Sequence, residues 1–166
     1  DPILPDSFHT MAEVASHISI PIATGERIHT IWEFEELLMS GAVQYVRPDV
    51  CMAGGLTHTK KIAALAEAHY AKVVPHNPLS PVSTAACVQL DTCIPNFALQ
   101  EYPRDEEVPP KSELVKYPLR VEKGYLIVPD KPGIGVELNE DKLGDYPYKP
   151  RKFSTLLGED GSVVDQ

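Results

Sequence analysis

Four short segments, each closing an apolar run of strand character, recur along the 166-residue chain: Thr24-Gly25-Glu26-Arg27, Arg47-Pro48-Asp49, Pro75-His76-Asn77-Pro78 and Leu99-Gln100-Glu101. Glu26, Asp49, His76 and Glu101 follow one another at intervals of 23, 27 and 25 residues, the length of one strand-loop-helix-loop unit of an α/β protein. An ionisable side chain at the same point of every unit is a poor packing choice, so the recurrence points to chemistry. In a (β/α) barrel the C-terminal ends of the parallel strands open on one face, where four such groups converge on a single site.

The stretches between these segments alternate helix and strand. Met11 to Ile18 carries apolar side chains at helical spacing (Met11, Val14, Ala15, Ile18), and Pro21-Ile22-Ala23 then reads as a short buried strand. Ile31 to Met39 is helical in period, stops at Ser40-Gly41 and leads into the strand Val43 to Val46. After the loop at Gly54-Gly55, Thr57 to Tyr70 is an amphipathic helix with Lys60 and Lys61 outward, followed by the strand Ala71 to Val74. Pro81 suits the first turn of a helix to about Leu90, and Asn96 to Leu99 is the fourth strand.

Helix and strand alternating through short loops make a parallel sheet, and right-handed crossovers roll four such strands into an arc. Closing a barrel takes eight strands and typically about 250 residues, so this arc has two unpaired edges and an open apolar face. The expectation is an α/β half-barrel over residues 1–103, with the other half missing. From residue 104 the composition changes: Arg104 to Pro110 is charged and proline-bearing, Glu122 to Pro129 reads as a turn plus a short strand, and Gly133-x-Gly135 is a tight turn rather than a phosphate loop. Asn139 to Leu143 suits one helical turn, and Lys149 to Gln166 reads as a poorly ordered polar tail. Residues 104–166 are therefore expected to cover the half-barrel rather than extend it.

A net charge of −9 argues against nucleic acid and anionic membrane surfaces as partners. No apolar run reaches the roughly 18 residues of a membrane span, and Asp1-Pro2-Ile3 lacks a signal-peptide pattern, so the expected location is cytoplasmic. Cys51, Cys87 and Cys93 form no C-x-x-C pair and are expected to be buried free thiols. Trp32 and Tyr45 are expected in the core or between helices.

Thr24-Gly25-Glu26, Arg47-Pro48-Asp49 followed by Ala53-Gly54-Gly55, Pro75-His76, Leu99-Gln100-Glu101 and the stretch Gly124-Tyr125 to Pro132-Gly133-Ile134-Gly135 together resemble the C-terminal half of the mandelate racemase-like branch of the enolase superfamily. The wording is nearest to its galactonate dehydratase-like sugar-acid dehydratases. The resemblance runs from Asp1 to about Asp141 and implies the last four strands of a TIM-type (β/α)7β barrel, with a C-terminal segment that covers or joins a capping domain absent from this sequence. It further implies that Glu26 is the last of three carboxylates binding a catalytic Mg²⁺, that Asp49 and His76 form a general acid/base dyad, and that Glu101 hydrogen-bonds the substrate carboxylate. Asp1-Pro2-Ile3 looks like the remainder of a strand-end motif whose metal ligand is the residue before Asp1. The first two metal ligands, the opposing acid/base residue and the capping domain are then expected outside this sequence, and the family suggests a homo-oligomer acting on a small sugar acid.

The residue types suit that chemistry. Removing a proton α to a carboxylate creates an enediolate, whose charge a hard cation held by carboxylates offsets. A histidine with an ordinary pKa of about 6.5 can take the proton, and a neighbouring aspartate fixes its tautomer. With a hydroxyl on the next carbon the product is a 2-keto-3-deoxy acid; without one, reprotonation gives racemisation or epimerisation, so a racemase, epimerase or cycloisomerase stays open. Each residue alone has a commoner use: a surface pair for Glu26 with Arg27, a turn or cap for Asp49, a loop histidine for His76, a solvated strand end for Glu101. Recurrence at one unit length is what weighs against four such coincidences. His9, His17, His29, His58 and His69 have no comparable setting. One Mg²⁺ ligand cannot retain the ion, so the isolated chain is expected to be an inactive half-barrel fragment.

Overall fold

The computed structural model describes residues 1–150 and 157–162; the rest of the tail expected to be poorly ordered lies outside the described residues. Four helix-strand steps precede the covering segment. Helix α1 (Phe8–His17) leads to strand β1 (Ala23–Thr24), α2 (Ile31–Met39) to β2 (Tyr45–Val46), and α3 (Gly55–Ala68) to β3 (Lys72–Val73), while α4 (Pro81–Asp91) leads to an extended stretch at Phe97. The sheet is parallel in the order β1-β2-β3, with Ala23, Tyr45 and Lys72 in one register and Thr24, Val46 and Val73 in the next.

That register separates two faces, because side chains alternate along a strand. Thr24, Val46 and Val73 turn toward the helices and are buried with Met11, Phe34, Leu37, Ile62 and Leu90. Each large apolar side chain so buried contributes about 1.5–3 kcal/mol. Ala23, Tyr45 and Lys72 turn the other way, onto an open cavity of about 680 Å³ that Asp1, Phe97 and Leu99 also line. Phe97 and Leu99 remain 38% and 56% exposed on that side.

The helices begin where their caps dictate. Ser7 and Ser80 accept from the backbone N–H groups of Thr10 and Ser83, and Pro81 occupies the first turn of α4. Thr30 and Glu33 form a reciprocal box at the start of α2. The Glu33 carboxyl is held below its ordinary range chiefly by the His29 N–H and then by the Thr30 hydroxyl.

The fourth strand is shorter than the sequence suggests. Val73 N–H donates to Asn96 O and Ala98 N–H to Val73 O, both at 2.9 Å, giving one parallel bridge between Val73 and Phe97. The next donor of that ladder would be residue 75, a proline without an N–H, so the pairing stops. Four side chains also depart from expectation. Cys87 is buried, with its thiol pushed up by burial and by the charge of Asp91, but Cys51 and Cys93 are exposed. Cys51 lies in the turn after Asp49 and Cys93 in the turn after α4, not inside regular elements. Trp32 is 70% exposed because the buried stripe of α2 is Phe34, Leu37 and Leu38, and Ile18, one residue past α1, is exposed.

After Glu101 the chain forms two 3-10 turns (Arg104–Glu107 and Lys111–Glu113), an antiparallel hairpin of β4 (Arg120–Glu122) and β5 (Tyr125–Ile127), and a final turn of helix, α5 (Glu140–Leu143). Lys123 and Gly124 turn the hairpin with positive φ, and Gly133 and Gly135 make the tight turn read from the sequence. No helix among the described residues is long and apolar enough to cross a membrane.

Candidate active site

Glu26, Asp49, His76 and Glu101 all lie just past strand ends on one rim of the sheet, where Asp49 pairs with His76 and Arg47 links Glu26 to Glu101. Asp49 and His76 form a parallel bridge beyond β2 and β3, with His76 N–H donating to Pro48 O at 3.1 Å. Backbone pairing thus sets the two side chains opposite each other. Asp49 is 1% exposed; its Oδ1 accepts from the N–H groups of Cys51 and Met52 at 2.8 and 3.2 Å, and its Oδ2 lies 3.0 Å from His76 Nδ1. A carboxylate so held accepts, so Nδ1 carries a proton and Nε2 is the ring nitrogen that faces Glu26. Glu26 Oε2 is 3.7 Å from that Nε2, too long for a hydrogen bond.

Glu26 reaches the rim because of Gly25. The backbone there has φ +132, and an added Cβ would stand 2.8 Å from the Phe34 ring and 3.1 Å from Arg47 N. Only glycine fits where β1 passes this close to α2 and β2. The same close approach lets Arg47 N–H donate to Thr24 O at 2.9 Å.

Arg47 opens the Arg47-Pro48-Asp49 segment, yet its sequence pattern marks no role for it, since its reach depends on side-chain direction. Its guanidinium bridges the two outer carboxylates, with Nη1 3.0 Å from Glu26 Oε2 and Nη2 3.0 Å from Glu101 Oε2. One rigid fork therefore spans strand ends that are not neighbours and sets a fixed positive charge between two negative ones. Glu101 Oε2 also accepts from Asn77 N–H at 2.8 Å, a second contact that sequence spacing does not reveal.

The rim offers an imidazole with Nε2 beside Glu26, a buried carboxylate behind it, and a guanidinium that links the two outer carboxylates. Glu26 supplies an oxygen donor of the kind Mg²⁺ prefers. Among the described residues, no three His, Cys, Asp or Glu side chains are grouped so as to hold a metal ion. The donors present are thus too few for a complete site. Asp1 sits against β1, where its amino group donates to Ala23 O at 3.2 Å and its carboxylate accepts from the Thr24 hydroxyl.

Comparisons with known proteins identify the family. Residues 1–142 match the family model described as Enolase C-terminal domain-like. A D-galactonate dehydratase family member from Streptomyces bingchenggensis is 36% identical over 157 residues, which cover 93% of this chain and 38% of the relative. A D-mannonate dehydratase from Novosphingobium aromaticivorans is 37% identical over 152 residues, covering 90% of this chain and 37% of the relative. Among solved structures, a mandelate racemase/muconate lactonizing enzyme from Jannaschia sp. CCS1 superposes with a TM-score of 0.84 at 38% identity, over 91% of this chain and 38% of that one. The chain spans about two fifths of the length of these curated relatives. It belongs to the enolase C-terminal domain-like family, as the C-terminal half of a TIM-type barrel of the mandelate racemase-like branch.

Proposed function

We propose that this chain supplies the catalytic base to a Mg²⁺-dependent sugar-acid dehydratase, which converts an aldonate to a 2-keto-3-deoxy acid once the barrel is complete. The observation that carries the reading is the Asp49–His76 pair at 3.0 Å, with Nε2 left open beside Glu26. His76 Nε2 would take the proton α to the substrate carboxylate, while Asp49, held by two backbone N–H groups, keeps the ring in one tautomer and stabilises the imidazolium. Glu101 would hydrogen-bond the substrate carboxylate by donating a proton carried on its remaining oxygen, since two carboxyl groups can bond only through a shared proton. The Arg47 guanidinium offsets the repulsion two glutamates would otherwise exert on an anion. Bound Mg²⁺, with Glu26 among its ligands, would supply electrostatic stabilisation of the charge that builds on the substrate carboxyl oxygens.

The names of the relatives support dehydration of a sugar acid, and two different acids among them leave the acid open. Their greater length supports a complementary barrel half and capping domain as the parts this site needs. Homo-oligomer assembly belongs to the same proposal.

The test is a panel of galactonate, mannonate and gluconate with Mg²⁺, followed by detection of 2-keto-3-deoxy acids, on the chain alone and on the protein with its complementary half. The chain alone is expected to be inactive and the complete protein active. His76→Asn in the complete protein should lower kcat by about 10²–10⁴-fold. Dehydration by the His76→Asn protein at the wild-type rate would refute the assignment.

A further inference from the structure

Asp49 and Glu106 are the two buried charged side chains among the described residues. Asp49 belongs to the dyad. Glu106 comes from the first 3-10 turn of the covering segment, five residues past Glu101, yet it is only 5% exposed. Burial pushes its carboxyl up, against the Thr84 hydrogen bond and the charge of Lys111, which hold it down. Burying a carboxyl costs free energy that its hydrogen bonds must offset, so its partners matter.

The bond leads back to the site. Glu106 Oε1 lies against the Thr84 hydroxyl in the first turns of α4. Thr84 Oγ1 accepts from Asn77 Nδ2 at 2.7 Å, and the other hydrogen of that amide goes to Glu101 O at 3.1 Å. Asn77 N–H donates to Glu101 Oε2 at 2.8 Å. Asn77 and Thr84 are fully buried. Thr84 has one hydroxyl hydrogen and two acceptors within reach, Glu106 and Ser80 O at 3.3 Å. Donated to the Glu106 carboxyl, that hydrogen leaves a Thr84 lone pair aimed at Asn77.

We infer that Glu106 is a positioning residue: through Thr84 and Asn77 it fixes the carboxylate of Glu101, so that the segment following the half-barrel is tied to the rim of the site. This rests on the placement of Glu101 at the site, and it is read here without catalysis, so its failure is distinguishable from failure of the dehydratase assignment.

Residue-resolved hydrogen exchange on the protein with its complementary half tests it. Glu106→Leu and Thr84→Val should each raise the exchange rate of the Asn77 amide by about tenfold relative to the amides of Val73 and Ala98, which are bonded within the sheet. Glu106→Gln and Thr84→Ser, which keep a hydrogen-bonding group at each place, should leave Asn77 near wild type. Thr84→Val carries the expectation alone if Glu106→Leu does not fold. An unchanged Asn77 amide in Thr84→Val would overturn the inference. So would a uniform rise at Asn77, Val73 and Ala98, which would assign Glu106 to fold stability only.

Discussion

Gly25 decides whether the Glu26 carboxylate stands at the rim. Its φ of +132 and the 2.8 Å that would separate an alanine Cβ from Phe34 leave no relaxed conformation for a side chain. Gly25→Ala should cost about 1–3 kcal/mol from backbone strain alone, with a further loss as Phe34 gives way. In the complete protein it should weaken Mg²⁺ binding more than substrate binding, which calorimetric titration with each would measure. Equal or tighter Mg²⁺ binding would show that Glu26 does not need this approach. At this scale the sequence was a partial guide. Glu26, Asp49, His76 and Glu101 were legible because each recurs at a strand end. Arg47, Asn77, Thr84 and Glu106 were not, because their roles depend on where side chains point and on a contact that spans 22 residues.

Among the elements, α4 carries the plainest physical consequence. Asp91, its last residue, lies beside a cavity lined by Val88, Leu99, Val121 and Leu126, and burial pushes its carboxyl up to about 8. In an unfolded chain it titrates near 3.9. Between those values the folded state holds a proton that the unfolded state has released, so stability is full below the lower value and is lost as pH rises through the upper one. The urea midpoint should fall from about pH 5 to about pH 8, and fall less in Asp91→Asn, which cannot titrate. A midpoint with the same pH dependence in both proteins would contradict the burial of this carboxyl. The helices were the most legible elements: α2 spans the residues its period marks, Ile31–Met39. The fourth strand was overread, because its apolar pattern is intact while its partner's Pro75 cannot donate.

For the whole molecule, the unit length and the alternation of helix and strand indicated an arc of four parallel strands; three of them pair in the order β1-β2-β3, and the fourth joins through the single Val73–Phe97 bridge. Its inner face, with Phe97 and Leu99 partly exposed and Lys72 beside them, is what a second half would cover. The division at residue 103 stands as a proposal, since Glu106 knits the following segment into α4. On the proposed reading the base lies in this chain and the completion of the site in the other half. The most direct test is exchange of the substrate's α-hydrogen in D₂O with Mg²⁺, followed by NMR, because it reads proton removal whether or not a hydroxyl then leaves. The proposed role of His76 predicts exchange or deuterated product with the complete protein, none with the isolated chain, and none with the complete protein carrying His76→Asn. Exchange at the wild-type rate in the His76→Asn protein would contradict it.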